Sequence, residues 1–172
     1  MIKLYSHSLV HTNRWFEHYI DDVVLPDGRH TPEQHIIHFR TGGVGIIALN
    51  QREEILIVKS YRHPINKFSF EIPEGRMEEK ETPIETAKRE LLEETGYRAV
   101  NFEIVYSFNP MSGISNDLFH IVTCHVTEEP INQTDGEVSE PVWYSKSELR
   151  MMIDSREIHD GFTLTGLLLI GV

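Results

Sequence analysis

The sequence predicts an α/β fold, and three observations carry that reading. Two apolar runs, GVGIIALN and EEILIVKSYR, flank Asn50-Gln51-Arg52 and have the Ile, Val and Leu content of a hairpin of buried strands. Downstream, the segment from Pro83 to Thr95 has both of its helix ends specified. Ahead of both, strand-like segments surround the turn LPDGRH, whose Pro-Asp-Gly favours reversal of the chain. The chain of 172 residues suffices for one domain with a sizeable core, or one domain plus an appendage.

Taken in order, residues 2–39 read as short strands of a small antiparallel sheet. Trp15, Phe16, Tyr19 and Ile20 supply apolar surface before the turn, and Ile36, Ile37 and Phe39 after it. Such a sheet is marginal alone and needs something to pack on. Gly42-Gly43 marks a break before the buried hairpin. Arg62 ends the second strand of that hairpin, and His63-Pro64 closes it. NKFSFEIP is a further strand that delivers Glu71 and then a Glu74-Gly75 loop to the helix. AVNFEIVYSFNP and DLFHIVTCHV are strands joined by the loop NPMSGISND, and VWY is a short strand. Ser145 and Glu148 form a capping box that opens a helix with Leu149, Met152 and Ile153 inward. A last helix, around Phe162 to Leu169, is apolar enough to be buried. No internal repeat or interdomain linker stands out.

The helix from Pro83 carries the chemistry. Thr82 sits at the N-cap, Pro83 at the first helical position and Glu85 three residues after the cap, and Gly96 follows where a helix ends left-handed. Ile84, Ala87 and Leu91 give it a buried stripe. Glu90 and Glu94 lie one turn apart on one face, with Glu93 beside them and Arg89 just before. Like charges at this spacing cost roughly 0.2–0.5 kcal/mol per pair, and the helix dipole makes carboxylates near a C-terminus worse. A solvated acidic face is the plain alternative, but the carboxylates crowd the wrong end of the helix for it. A hard divalent cation such as Mg²⁺ or Mn²⁺ would reverse the sign of that repulsion.

Residues 75–97, GRMEEKETPIETAKRELLEETGY, resemble the Nudix box, G-x5-E-x7-R-E-U-x-E-E-x-G-U, where U is a bulky aliphatic residue. Gly75, Glu81, Arg89, Glu90, Leu91, Glu93, Glu94 and Gly96 fall in register, and Tyr97 at the last position is the one departure. The preceding KSYRHPINKFSFEIPEGR is similar to the ADP-ribose and sugar-nucleotide pyrophosphatase branch, except that Glu74 replaces the usual alanine of Glu-x-Pro-Ala-Gly. The resemblance implies an α/β/α sandwich over residues 41–172, with residues 1–40 as an N-terminal β region making substrate and dimer contacts.

It also implies roles. Glu90 and Glu94 would be direct ligands of Mg²⁺ (or Mn²⁺), with Glu93 a further ligand or a base and the backbone carbonyl of Glu74 completing the shell. Arg89 would orient the glutamates. A glutamate on a loop after the box would activate water, and Glu137 is the candidate, with Glu140 second; the choice among Glu137, Glu140 and Glu93 stays open. Arg62, Glu71 and Arg76 are the candidate substrate-binding residues, Arg62 because a guanidinium fork matches phosphate oxygens. Trp15, Phe16 or Tyr19 would stack on a base or, as the better expectation for most of them, pack in a core. The loop has Met111-Ser112-Gly113 and Ser115-Asn116-Asp117 where ADP-ribose hydrolases carry Ser-Pro-Gly and Ser/Thr-Asp-Glu. The expected substrate is therefore a nucleoside diphosphate sugar, split to a nucleoside monophosphate and a sugar 1-phosphate. ADP-ribose is the alternative, and a non-catalytic nucleotide-sugar binding module the alternative of another class. The expected assembly is a homodimer.

Composition narrows the partners. A net charge of −11 argues against a nucleic-acid surface, which is basic. No apolar run reaches membrane-span length, and the first residues lack the apolar core of a signal peptide. The single cysteine, Cys124, has no disulfide partner and suits a reducing compartment, so the cytoplasm is expected. Among the ten histidines, neither His35 and His38 nor His120 and His125 have the i,i+4 spacing of a zinc helix, and scattered surface or packing roles are expected of them.

Overall fold

The computed structural model of the chain describes residues 1–127, 129–131 and 141–172. Glu137 and Glu140 lie outside the described residues. Two compact units are present: Met1–Gly42 with Phe108–Phe119, and Gly43–Ser107 with His120–Val172.

The first unit is built on a three-stranded antiparallel sheet of β1 (Lys3–Thr12), β2 (Phe16–Val24) and β3 (His30–Phe39), in that order. Its strands run nine or ten residues, longer than the short strands expected from sequence. The expected turn joins β2 to β3, with the Gly28 amide donating to the Leu25 carbonyl at 2.9 Å. Pro32 is accommodated because β3 is an edge strand. The segment after residue 108 then lies along β3. Ile37 N–H donates to the Ile114 carbonyl at 2.8 Å, Ile37 and Ser115 form a parallel bridge, and the Asn116 side chain accepts from Phe39 N–H at 2.7 Å while donating to the Phe39 carbonyl at 3.1 Å.

The second unit holds a seven-stranded sheet. Its strands are β4 (Gly43–Leu49), β5 (Ile55–Arg62), β6 (Lys67–Glu71), β7 (Glu74–Arg76), β8 (Ala99–Phe108), β9 (Phe119–Val126) and β10 (Val142–Tyr144). The main order is β10-β5-β4-β9-β8, with β6 pairing β5 and β7 pairing β4. A 3-10 turn at His63–Ile65, started by Pro64, reverses the chain after β5. Three helices complete the unit: α1 (Pro83–Thr95), α2 (Lys146–Asp154) and α3 (Gly161–Leu169).

Strand β4 explains the layering. Val44, Ile46 and Ala48 on one side and Ile47 on the other are all fully buried, which demands a cover on both faces. On the first face, Ala87 and Leu91 of α1 join Val44, Ile46, Ala48, Leu56, Val122 and Cys124 in one cluster. On the second, Gly166 of α3 comes so close to Ile47, Ile72 and Ile121 that an added Cβ would stand 3.1 to 3.5 Å from their Cδ1 atoms. The sheet is therefore sandwiched between helices, as the resemblance implied.

The helix termini follow the sequence closely. In α1 both halves of the Thr82–Glu85 capping box form and Gly96 is left-handed at φ 71°. The Ser145–Glu148 box forms at α2, and Asp160 caps α3 by accepting from Thr163 N–H. Burial follows it less well. Ile84 and Ile153 are half-buried, the α1 stripe shifts to Thr86, Ala87, Leu91 and Thr95, and α3 leaves Leu168 61% exposed. Leu91 is central to the first face, so Leu91→Ala should cost about 2–5 kcal/mol of unfolding free energy. Urea titration followed by circular dichroism checks this; a loss near zero would mean that the α1 face is not core.

Candidate active site

The site begins with β7, which antiparallel pairing places beside the glycine-rich start of β4: Gly43 opposite Arg76, Val44 opposite Gly75, Gly45 opposite Glu74. Helix α1 lies across both strands. Gly75 is required by close approach, because a Cβ built on it would fall 1.9 to 2.5 Å from the Glu90 carboxylate. One residue earlier, the Glu74 amide donates to Glu94 Oε2 at 3.1 Å. Consecutive residues of β7 thus receive the two helix carboxylates that the spacing put on one face.

Arg89 organises the helix side. Its Nε and Nη2 donate to Glu81 at 2.9 Å each, its Nη1 to Glu90 at 2.7 Å and Glu93 at 3.1 Å, and its Nη2 again to the Arg76 carbonyl at 3.0 Å. Glu81 also accepts from Glu78 N–H and from the Thr86 hydroxyl, which fixes the loop entering α1. Paired to Arg89 first of all, the Glu81 carboxyl is held down at about 2.

The strand side is a second charge group. Glu71, buried at 1% exposure, accepts from Arg62 Nε through both oxygens at 2.9 Å and from Nη2 as well. Arg62 Nη2 also reaches Glu74 Oε1 at 2.6 Å. These partners, Glu71 first, raise the Arg62 pKa and keep it charged. Glu74 Oε2 is buried and has no hydrogen-bond partner.

Crowding carboxylates away from water has the expected electrostatic result. Burial pushes Glu74 up to about 8, helped by the nearby charges of Asp160 and Glu71. Burial likewise pushes Glu94 up to about 8 and raises Glu90, against the opposing hydrogen bond from Arg89 in the latter. Glu93 stays half exposed on the helix surface.

The structure therefore gathers Glu74, Glu90, Glu93, Glu94, Arg89, Arg62 and Glu71 in the second unit. Arg76 lies in β7, half-buried, with its carbonyl bound to Arg89. Phe16 and Tyr19 lie in β2, where Phe16 meets Phe39 edge-on and the Tyr19 ring stacks on His7. Two contributors were not singled out from sequence. Glu81 is marked in the sequence only as a motif position at a fixed spacing from Arg89. Asp160 gave no signal beyond a helix cap.

The donor chemistry fits a hard divalent cation: all-oxygen donors, an orphaned buried carboxylate oxygen on Glu74, and a cradle at Gly75 that only a glycine leaves open for Glu90. Among the described residues, no group of three or more His, Cys, Asp or Glu side chains is arranged to hold a metal ion by itself. A Mg²⁺ ion, which keeps several waters and takes substrate oxygens, does not need one.

Two outcomes follow from this geometry. Gly75→Ala should fold, since only a flexible carboxylate must move, yet displace Glu90; calorimetry with Mn²⁺ should show weakened binding at an unchanged melting temperature. Normal Mn²⁺ binding would refute the cradle. Second, Glu74 and Glu94 titrate near 8 in the fold, against an ordinary 4.5. Over that interval the folded state binds more protons than the unfolded one, so their contribution to stability falls as pH rises. Melting in EDTA should fall from about pH 5 to about pH 8, and Glu94→Gln should flatten the slope. An equal slope in the variant would refute the assignment.

Comparison with known proteins bears on the family and the fold. The NUDIX domain family model matches residues 39–163. An ADP-ribose pyrophosphatase of Bacillus subtilis (strain 168) is 31% identical over 148 residues, covering 84% of this chain and 79% of its own. An ADP-sugar pyrophosphatase of Mus musculus is 28% identical over 166 residues, covering 87% and 76%. A crystal structure of an ADP compounds hydrolase superposes with a TM-score of 0.81 at 16% identity, covering 98% of this chain and 91% of that one, and shares the fold. With the motif in register and its carboxylates assembled on β7 and α1, the chain belongs to the Nudix hydrolase family.

Proposed function

We propose that this Nudix hydrolase cleaves the diphosphate linkage of a nucleoside diphosphate sugar, giving a nucleoside monophosphate and a sugar 1-phosphate. The observation that carries the reading is the convergence of Glu90 and Glu94 on Gly75 and on the Glu74 amide, next to a charged arginine, Arg62. Glu90, Glu94 and Glu74 would hold Mg²⁺ (or Mn²⁺). That ion, when bound, offsets diphosphate charge and lowers the pKa of a coordinated water.

The chain's own residues do the rest. Arg89 fixes Glu90 through Nη1 and ties it to β7 through the Arg76 carbonyl, so the ligand carboxylate is oriented before any cation arrives. Glu93, half exposed and held by Arg89 at 3.1 Å, would serve as a further ligand or accept a proton from water. Glu137, with Glu140 second, remains our candidate for the water-activating base, outside the described residues. Arg62, whose Nε and Nη2 are taken by Glu71 and Glu74, would meet phosphate oxygens through Nη1; Glu71 would support substrate by holding Arg62, and Arg76 is the further candidate for substrate contact.

A second substrate reading, ADP-ribose, is favoured by the Bacillus subtilis relative and by the role of Asn116. Its amide both accepts from and donates to Phe39 backbone, which a carboxylate cannot do, so the departure at this position is explained by the fold. We also propose a homodimer. Strand β1 is an edge whose Leu4, Tyr5, Leu9 and Val10 are each more than half exposed, a surface that invites pairing. A cytoplasmic location is proposed on the single buried cysteine; among the described residues, no helix is long and apolar enough to cross a membrane.

The test is turnover of ADP-ribose, ADP-glucose, UDP-glucose and GDP-mannose with Mg²⁺ or Mn²⁺ and with EDTA. We expect EDTA-sensitive release of a nucleoside monophosphate from at least one of them, and a loss of orders of magnitude in kcat for Glu94→Gln with the fold intact. Tight nucleotide-sugar binding without turnover would replace this reading with a binding module.

A further inference from the structure

We propose that the side chain of Glu74, through its free oxygen Oε2, is itself a cation ligand of this site, held in position by Arg62 on Oε1. The proposal rests on the metal-dependent reading above and assigns the ligating role to the side chain, where the family resemblance offers only the backbone carbonyl.

The two oxygens of Glu74 have different circumstances. Oε1 takes the Arg62 Nη2 donor at 2.6 Å. Oε2 is buried from water and bonded to nothing. An ion pair with Arg62 accounts for the first oxygen only, and it is not needed to neutralise Arg62, because buried Glu71 already takes Nε through both of its oxygens. Buried polar atoms are rarely left unpaired, and a carboxylate oxygen is a costly one to leave so. An alanine, the usual residue at this place in the resembling pattern, would avoid the cost altogether.

What surrounds Glu74 supplies the reason to keep it. Its own amide binds the Glu94 carboxylate at 3.1 Å, and its neighbour Gly75 abuts the Glu90 carboxylate. A third carboxylate is thereby attached to the short strand that receives the other two. Anionic oxygens without competing donors are what Mg²⁺ and Mn²⁺ select. Arg62 adds a constraint: by anchoring Oε1 it fixes the orientation of Oε2, as outer partners of metal ligands do.

The experiment compares wild type, Glu74→Ala and Glu74→Gln without nucleotide. Free Mn²⁺ is read by its electron paramagnetic resonance signal, and melting is measured in EDTA. Both variants should bind Mn²⁺ about tenfold more weakly. Their metal-free melting temperatures should equal or exceed that of wild type, because an unpaired buried oxygen has been removed or neutralised. Unchanged Mn²⁺ affinity in Glu74→Ala overturns the inference. So does wild-type affinity in Glu74→Gln alone, or a lower metal-free melting temperature in both variants, since either marks Glu74 as a brace for Arg62. Failure of the wild type to bind Mn²⁺ would overturn the metal-dependent reading itself, before any variant is compared.

Discussion

The five donors of Arg89 are the constraint on which the rest of this structure depends. Four carboxylate contacts and one carbonyl contact use the whole guanidinium, with Glu81, Glu90, Glu93 and the Arg76 carbonyl as acceptors. Those acceptors come from the loop before α1, from the helix itself and from β7. One planar cation therefore sets the height of the helix over the strand and the orientation of Glu90 at once. A lysine, a point charge with three donors, could not span three segments in this way. The arrangement also localises the repulsion: Glu81 is stabilised as an anion by Arg89, whereas Glu94 lies beyond its reach and bears the cost of burial.

That division has a counterpart on the other helix layer. The sheet needs cover on both faces because β4 is buried on both, and α3 provides it where Gly166 allows backbone to approach Ile47 and Ile121. The cap of α3, Asp160, satisfies Thr163 N–H, and its charge acts on Glu74 from the side opposite α1. Thr163 in turn donates its hydroxyl to Ile72 N–H, two residues before Glu74. Packing on one face and chemistry on the other are joined at residues 72–75.

What was legible in the sequence divides along the range of the forces involved. Helix α1 was readable to the residue because its ends are specified locally by Thr82, Glu85 and Gly96. Strand β7 was not, since Glu-Gly-Arg has no strand pattern and exists as a strand only because β4 pairs with it. Ile84 was expected inward and is half-buried, while Thr86 and Thr95 are buried, because hydroxyls bonded to Glu81 and to the Leu91 carbonyl need no water. Among site residues, the spacing of Arg89, Glu90, Glu93 and Glu94 was enough to place them together. The partners of Arg62 were hidden, because Glu71 reaches it only through the β5–β6 register that puts Val58 opposite Glu71 and Arg62 opposite Lys67.

The loop at residues 109–117 shows how a departure from a family pattern should be weighed. Read as letters, Asn116 in place of an acidic residue suggests altered selectivity. Read as chemistry, it is a residue that must both accept and donate, and Phe39 presents one backbone donor and one acceptor to it. Aspartate would satisfy the first and leave the carbonyl facing an anion, so the substitution follows from how the loop is fastened to β3. Glu74 is the opposite case. There the departure introduces charge into a place where alanine would pack without cost, and no fold requirement accounts for its second oxygen. A substitution that satisfies the fold speaks for the fold, and one that burdens it speaks for the site.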